Sequence, residues 1–218
     1  MGKYLRKFEN YAAYEAAQSS LILPNISLCV SENSIIYNPY DPYNGHEYVD
    51  LGLPSGTKWA TMNVGANTIT DYGRYYKYGL GASQYSNTQA KYTGTENPLA
   101  ASADTAVQVW GGQWHMPTKT QFEELIANTT HQWVTDYEGS GKNGAIFTAN
   151  GQTLFFPASG DHSGGMTYDI GIKAYYWSST PHEENVEWAY VLECNKDGGK
   201  EVRYMHRNFG LNIRPVVG

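Results

Sequence analysis

The stretch from residue 65 to residue 109 constrains this chain most. Only six of its 45 residues are charged, and Tyr72, Gly73, Tyr75, Tyr76, Tyr78, Gly79 and Gly81 punctuate it. Such a segment is expected to be largely loop, held by ring packing rather than by strand ladders. The rest of the chain gives it little aliphatic mass to lean on. Leu, Ile, Val and Phe together supply only 39 of 218 residues, just under the roughly one-fifth that marks disordered compositions when net charge is high. Net charge is only −6, and 19 Tyr and 6 Trp replace the missing apolar bulk. A core of Tyr and Trp hides large rings while leaving polar tips for hydrogen bonds.

That composition excludes several classes. Charged residues make 17% of the chain, too few for a coiled coil or long-helix bundle, and the acidic balance argues against gripping nucleic acid by phosphate neutralisation. No run of 18 apolar residues exists, so no helical membrane insertion is expected. Residues 1–7 are basic, but Glu9, Asn10, Glu15 and Gln18 interrupt the stretch 8–20, which does not read as the apolar region of a secretory signal. Cys29 and Cys194 are expected to be two reduced, buried thiols.

Along the chain, Asn10 is placed to cap a short helix over residues 11–18, and residues 26–37 read as extended with a turn near Ser31-Glu32-Asn33. Asn38-Pro39-Tyr40-Asp41-Pro42-Tyr43-Asn44-Gly45 holds two prolines and a glycine in eight residues and reads as a linker. Residues 1–44 are thus expected to be a docking or oligomerisation segment, and residues 45–218 a domain. So small a leader cannot bury a sizeable core. It should fold against a partner, with Tyr4, Leu5, Phe8, Tyr11, Tyr14, Leu21 and Leu23 as the candidate docking side chains.

In the domain, residues 47–53 and 57–64 read as strands around Pro54-Ser55-Gly56. Thr118-Lys119-Thr120-Gln121 has capping-box spacing, and Phe122, Leu125 and Ile126 continue it at helical spacing, so a helix is expected over 119–127. Glu123 and Glu124 read as its solvated face. Residues 145–149 and 152–158 flank Asn150-Gly151, a hairpin with a type I′ turn. Residues 175–178 could be a strand. Residues 187–194 alternate, with Trp188, Tyr190, Leu192 and Cys194 on the expected core face. Asp197-Gly198-Gly199 turns the chain into residues 200–206, and residues 211–217 read as a last strand. The expected class is α+β: short antiparallel strands, two or so helices and long loops.

Four motifs in this order resemble a known family. Tyr48-Val49-Asp50-Leu51-Gly52-Leu53-Pro54-Ser55-Gly56-Thr57-Lys58-Trp59-Ala60 is followed by Gly111-Gly112-Gln113-Trp114-His115-Met116-Pro117-Thr118, by Tyr175-Tyr176-Trp177-Ser178-Ser179-Thr180, and by Ile213-Arg214-Pro215-Val216. The region is similar to the Fibrobacter succinogenes major paralogous domain, frequent in gut Bacteroides and their phages. The resemblance implies a C-type-lectin-like fold, related to the formylglycine-generating enzymes and to retroelement variable proteins. The leader resembles N-terminal segments of Bacteroides phage structural proteins through Tyr4-Leu5-Arg6-Lys7-Phe8, Tyr14-Glu15-Ala16-Ala17, Leu23-Pro24-Asn25-Ile26-Ser27-Leu28-Cys29 and Tyr37-Asn38-Pro39-Tyr40.

Chemistry is not expected. The formylglycine-generating relatives bind copper through a cysteine pair, and the domain here has only Cys194; copper would need converging soft ligands. His46, His115, His131, His162, His182 and His206 lack metal-ligand spacing, with His115 read as structural. Asp161-His162-Ser163 reads as a loop rather than a nucleophilic set. Glu96-Asn97-Pro98 has the composition of a lectin calcium motif in the wrong order, and no converging oxygen set is visible. No cofactor, metal or catalytic residue is therefore expected.

The informative segment is 182–209, where ten of 28 residues are charged and both signs adjoin aromatic rings. In the family this segment is the exposed sheet face and its loops. Aromatics and Arg among charges suit a recognition surface, although a charged hairpin also keeps an aromatic protein soluble. The candidate ligand-binding residues are Glu183, Glu184, Glu187, Trp188, Glu193, Lys196, Glu201, Arg203, Met205, Arg207 and Phe209, with Arg214 read as structural. Retained Glu and Lys residues favour a fixed member of the family over one diversified by a retroelement. The expected protein is a non-enzymatic phage virion decoration or fibre protein. It would be homo-oligomeric (trimer favoured), docked to other virion proteins by its leader, and bind host surface glycan or protein. A bacterial cell-surface or pilus-associated binding domain is the alternative.

Overall fold

A computed structural model describes the backbone of Arg6–Phe8, Ser27–Ser31 and Ser34–Asn38, and residues 42–218 in full. The chain divides into two compact units, Met1–His46 and Glu47–Gly218. In the first, β1 (Arg6–Phe8), β2 (Ser27–Ser31) and β3 (Ser34–Asn38) form an antiparallel sheet in the order β1-β3-β2. Phe8 pairs with Ile35, and Leu28 with Tyr37. The helix expected over 11–18, and the side chains of Tyr4, Leu5, Phe8, Tyr11, Tyr14, Leu21 and Leu23, lie outside the described residues.

The second unit is α+β, built of small antiparallel sheets and two helices. Its first sheet joins β4 (Tyr48–Val49), β5 (Lys58–Ala60) and β14 (Val216–Val217) in the order β14-β5-β4. Both opening strands are shorter than residues 47–53 and 57–64 suggested: left-handed Gly52 (φ 64°) turns the first run, and a turn from Asn63 to Ala66, with Gly65 at φ 78°, takes the second out of the ladder. The terminal strand also shrinks. Its residues change partner repeatedly, Leu211 bridging Tyr76, Asn212 bridging Tyr176 and Val216 pairing with Trp59.

As expected, residues 65–104 hold no helix and no strand beyond isolated bridges. They end in α1 (Thr105–Val109), whose N-cap Asp104 accepts from Val107 N at 3.1 Å. This five-residue helix is too short to announce itself by periodicity. The capping box is present at α2 (Lys119–Asn128). Thr118 Oγ1 accepts from Gln121 N at 3.2 Å, and Gln121 Oε1 accepts from Thr118 N at 2.9 Å. Glu124 is more than solvated surface: its carboxylate accepts from Ser55 N at 2.8 Å and Ser55 Oγ at 2.6 Å, tying the 54–56 turn to the helix.

A second sheet, β6 (Thr130–Val134), β7 (Gly144–Ala149) and β8 (Gln152–Pro157), is ordered β6-β7-β8. Its β7–β8 turn has Asn150 at φ 51° and Gly151 at φ 75°, the two positive φ values of a type I′ turn. The hairpin β9 (Asp161–Ser163) and β10 (Met166–Tyr168) comes next, then the sheet β11 (Lys173–Pro181), β12 (Trp188–Asn195) and β13 (Lys200–His206). Asp161-His162-Ser163 is therefore strand, not loop.

The core is aromatic. Trp59, Phe122, Phe147, Phe156 and Tyr176 pack with Leu51, Leu125, Leu192 and Cys194, all fully buried. Three ring tips find backbone acceptors: Tyr176 Oη donates to Pro157 O at 2.9 Å, Trp177 Nε1 to Tyr76 O at 2.9 Å, and Tyr78 Oη to Ser179 O at 3.0 Å, whereas the buried Trp59 Nε1 has no hydrogen-bond partner. Arg214 is also fully buried. It donates to Asn63 Oδ1 and to the carbonyls of Ala60, Thr61 and Phe155, all within 3.0 Å, with its guanidinium 4.8 Å from the Phe156 ring centroid.

Candidate functional site: an aromatic and carboxylate face on strands β12 and β13

In β12 and β13, residues 188, 190, 192 and 194 share one sheet face with 202, 204 and 206. Helix α2 packs on this sheet, and Leu192, Cys194 and Val202 lie in or against the core beneath it. The helix begins at Lys119, whose Nζ stands 4.0 Å from the Tyr190 ring centroid. Beyond that point the same face is open. Trp188 and Tyr190 are half-buried and Tyr204 is 48% exposed. This corrects the expected core face: Trp188 and Tyr190 belong to the surface, while Ala189 and Val191, on the opposite face, are fully buried. The helix covers only half the strand's length, so one parity serves as core at one end and as surface at the other.

Register brings the rings together. Trp188 pairs with His206, and Tyr190 with Tyr204. The Trp188 and Tyr204 rings meet edge to face at 5.4 Å and 89°, and His182 meets Tyr204 at 4.8 Å and 81°. Trp188 also contacts His206 at 5.8 Å, and His182 lies nearly parallel to Tyr190 at 5.6 Å. His182, Glu184, Asn185, Trp188 and Tyr204 line a depression of about 400 Å³.

The loop over this face is held by its own hydrogen bonds. His182 N donates to Trp188 O, and Trp188 N to Asn185 O, each at 3.1 Å. Glu184 N donates to His182 Nδ1 at 3.2 Å, and Glu187 N to Asn185 Oδ1 at 2.9 Å. Tyr190 Oη donates to Glu183 Oε2 at 2.7 Å. That bond holds the Glu183 carboxyl below, and raises the Tyr190 hydroxyl above, their ordinary pKa values. Glu187 bridges Lys91 at 2.7 Å and His206 at 3.3 Å. The hydrogen bond from Lys91 is the first cause of its lowered pKa.

The eleven candidates do not form one site. Glu183, Glu184, Glu187 and Trp188 gather at this face. Glu201, Arg203 and Met205 lie on the opposite parity of β13, and Lys196 sits in the β12–β13 turn, paired with Asp197 at 2.8 Å. Phe209 is half-buried beyond β13. Two candidates are not surface residues. Glu193 is 4% exposed, its carboxylate held by Arg203 at 2.7 Å and Lys173 at 3.4 Å. Arg207 is 2% exposed: it donates to Trp188 O and Gly94 O and lies over the Tyr78 and Tyr92 rings, pinning the 92–94 loop to the end of β13. Charge misled the reading at both positions, because a buried charge with partners looks in sequence like a solvated one.

His182, Asn185, Tyr190 and Tyr204 were not among the candidates. Their signal was the spacing of aromatic residues on both sides of the Asp197-Gly198-Gly199 turn, which becomes a site only once the strand register is known. Elsewhere, His162 lies between the rings of Tyr75 and Tyr85 with Nδ1 2.8 Å from Thr167 Oγ1, and His115 Nδ1 is 3.1 Å from Met116 O. Among the described residues, no group of three or more His, Cys, Asp and Glu could hold a metal ion, and no helix is long and apolar enough to cross a membrane.

The fold and face define a small α+β domain that presents rings and carboxylates on a sheet. No family model matches the chain, and neither a curated protein nor a solved structure does so.

Proposed function

We propose that this chain is a non-enzymatic recognition protein, a decoration or fibre component of a phage virion. Its Glu47–Gly218 unit would be a C-type-lectin-like domain that binds host surface glycan or protein, and its leader would dock it, as a homotrimer, to other virion proteins. The single observation that carries the recognition reading is the ring and carboxylate face built by Trp188, Tyr204, His182 and Glu184 under a loop already held in place. Such rings offer apolar area at low conformational cost, the carboxylates accept from hydroxyl or amine donors, and a loop fixed before binding loses little entropy on contact. The virion assignment rests on the four ordered motifs and on the leader's resemblance to phage structural proteins.

Two measurements on the full chain test this. Immunogold labelling should place it on phage particles, and labelled protein should adhere to Bacteroides cells through the Trp188 face. Labelling confined to the bacterial surface would overturn the virion assignment in favour of a cell-surface binding domain. Adhesion unchanged in a Trp188→Ala, Tyr204→Ala variant of wild-type melting temperature would overturn the recognition face.

A further inference from the structure

We infer that the depression at His182, Trp188 and Tyr204 binds an alkylammonium cation carried on its ligand. This deepens the recognition reading and rests on it. The geometry distinguishes ligand classes. A flat sugar face stacks best on one exposed ring, whereas here Trp188 and His182 both stand nearly perpendicular to Tyr204, at 89° and 81°. Walls in more than one plane border a compact group and turn ring faces and edges toward it from different sides. The faces of Trp and Tyr attract cations through the ring quadrupole, and this attraction strengthens as the cation is desolvated.

Charge points the same way. Glu184 lines the depression, and Glu183 precedes it in the same loop. Nearby cations are already engaged: Lys91 with Glu187 at 2.7 Å, and Lys119 over the Tyr190 ring at 4.0 Å. Lys119 also shows that a ring of this sheet accepts an ammonium within the chain's own packing. His182 Nδ1 is taken up within the loop by Glu184 N. A sulfated or carboxylated ligand would meet the Glu184 carboxylate without a facing cation. An ammonium meets a carboxylate and ring walls together.

The ammonium could come from a choline-type head group or from a protonated amino sugar. The probes are therefore choline, glucosamine and the neutral tert-butyl analogue of choline, in which carbon replaces nitrogen. Each is titrated into the full chain and followed by NMR at the indole N–H of Trp188. We expect saturable binding of at least one cation, about tenfold tighter than the neutral analogue. Trp188→Ala and, independently, Tyr204→Leu should lose it, and Glu184→Gln should weaken it severalfold. Tighter choline binding assigns a quaternary head group, and tighter glucosamine binding an amino sugar. Equal binding of the neutral analogue overturns the inference. So does absence of binding by either cation in a chain that still adheres to cells through the Trp188 face, a result that leaves the recognition reading intact.

Discussion

Arg214 shows what a core with few aliphatic side chains requires. Its guanidinium is fully buried, and burial lowers its pKa to about 10, so it remains charged at neutral pH. The four hydrogen-bonded oxygens that meet this charge belong to three carbonyls and one side-chain amide, in segments 60–63 and 155. Arg214→Ala would strand these acceptors, and Arg214→Lys cannot reproduce the planar fork. We expect a loss of about 3 kcal/mol or more for the alanine variant, read as a fall in urea midpoint. A loss below about 1 kcal/mol would show that the buried charge is dispensable. The structural role of Arg214 was legible in the sequence from its place in Ile213-Arg214-Pro215-Val216. The burial of Glu193 and Arg207 was not, because their partners lie on other segments.

Two carboxyls at this scale should have midpoints displaced in opposite directions. Burial raises the Asp104 pKa, outweighing the N–H groups of Met116 and Val107 that bond it. Folding therefore favours its protonated form, and its contribution to stability falls as pH rises from the ordinary aspartate value through the raised one. Glu183 is depressed by the Tyr190 hydroxyl. Its contribution is present above the ordinary glutamate value and is lost as pH falls through the depressed one. Carboxyl-resolved NMR titration should place the Asp104 midpoint above, and the Glu183 midpoint below, their unperturbed positions. Tyr190→Phe should return Glu183 toward the ordinary value; an unmoved midpoint would contradict the assigned cause.

At the scale of elements, legibility followed the range of the forces involved. Helix α2 and the β7–β8 hairpin were readable because their signals are local: a capping box with apolar residues at helical spacing, and an Asn-Gly turn between extended runs. Strand β14 was over-read, since the residues before it are taken by distant partners such as Tyr76 and Tyr176, and β4 was over-read where Gly52 turns the chain. Strand β12 was read with the right alternation, and its expected core face holds at Leu192 and Cys194 but not at Trp188 and Tyr190, because α2 covers only half its length. Two glycines separate local from long-range demands. At Gly151, φ is 75° and an added Cβ meets nothing within 4 Å, so Gly151→Ala should cost only the left-handed strain, about 1–2 kcal/mol. At Gly160, φ is 66° and a Cβ would strike the carbonyl oxygen of Tyr168 and the backbone of Asp169 and Ile170. Gly160→Ala should add an overpacking cost of about 1–3 kcal/mol. Equal thermal shifts for the two variants would contradict the close approach of the backbones.

At the scale of the molecule, the Tyr-rich, charge-poor composition divides into two jobs. The buried rings between Trp59 and Trp177 form the scaffold, and those from His182 to His206 form a surface. The segment 182–209 drew attention by its charge, yet the face that emerges is defined as much by rings on two strands and a loop. The measurement that bears on it most directly is backbone and indole NMR of the full chain with isolated Bacteroides surface polysaccharide added. Perturbations should cluster at residues 182–188, 190, 204 and 206, and vanish in the Trp188→Ala, Tyr204→Ala variant. Perturbations confined to another surface, such as exposed Met166, Tyr168, Ile170 and Ile172, would contradict the assignment of recognition to β12 and β13.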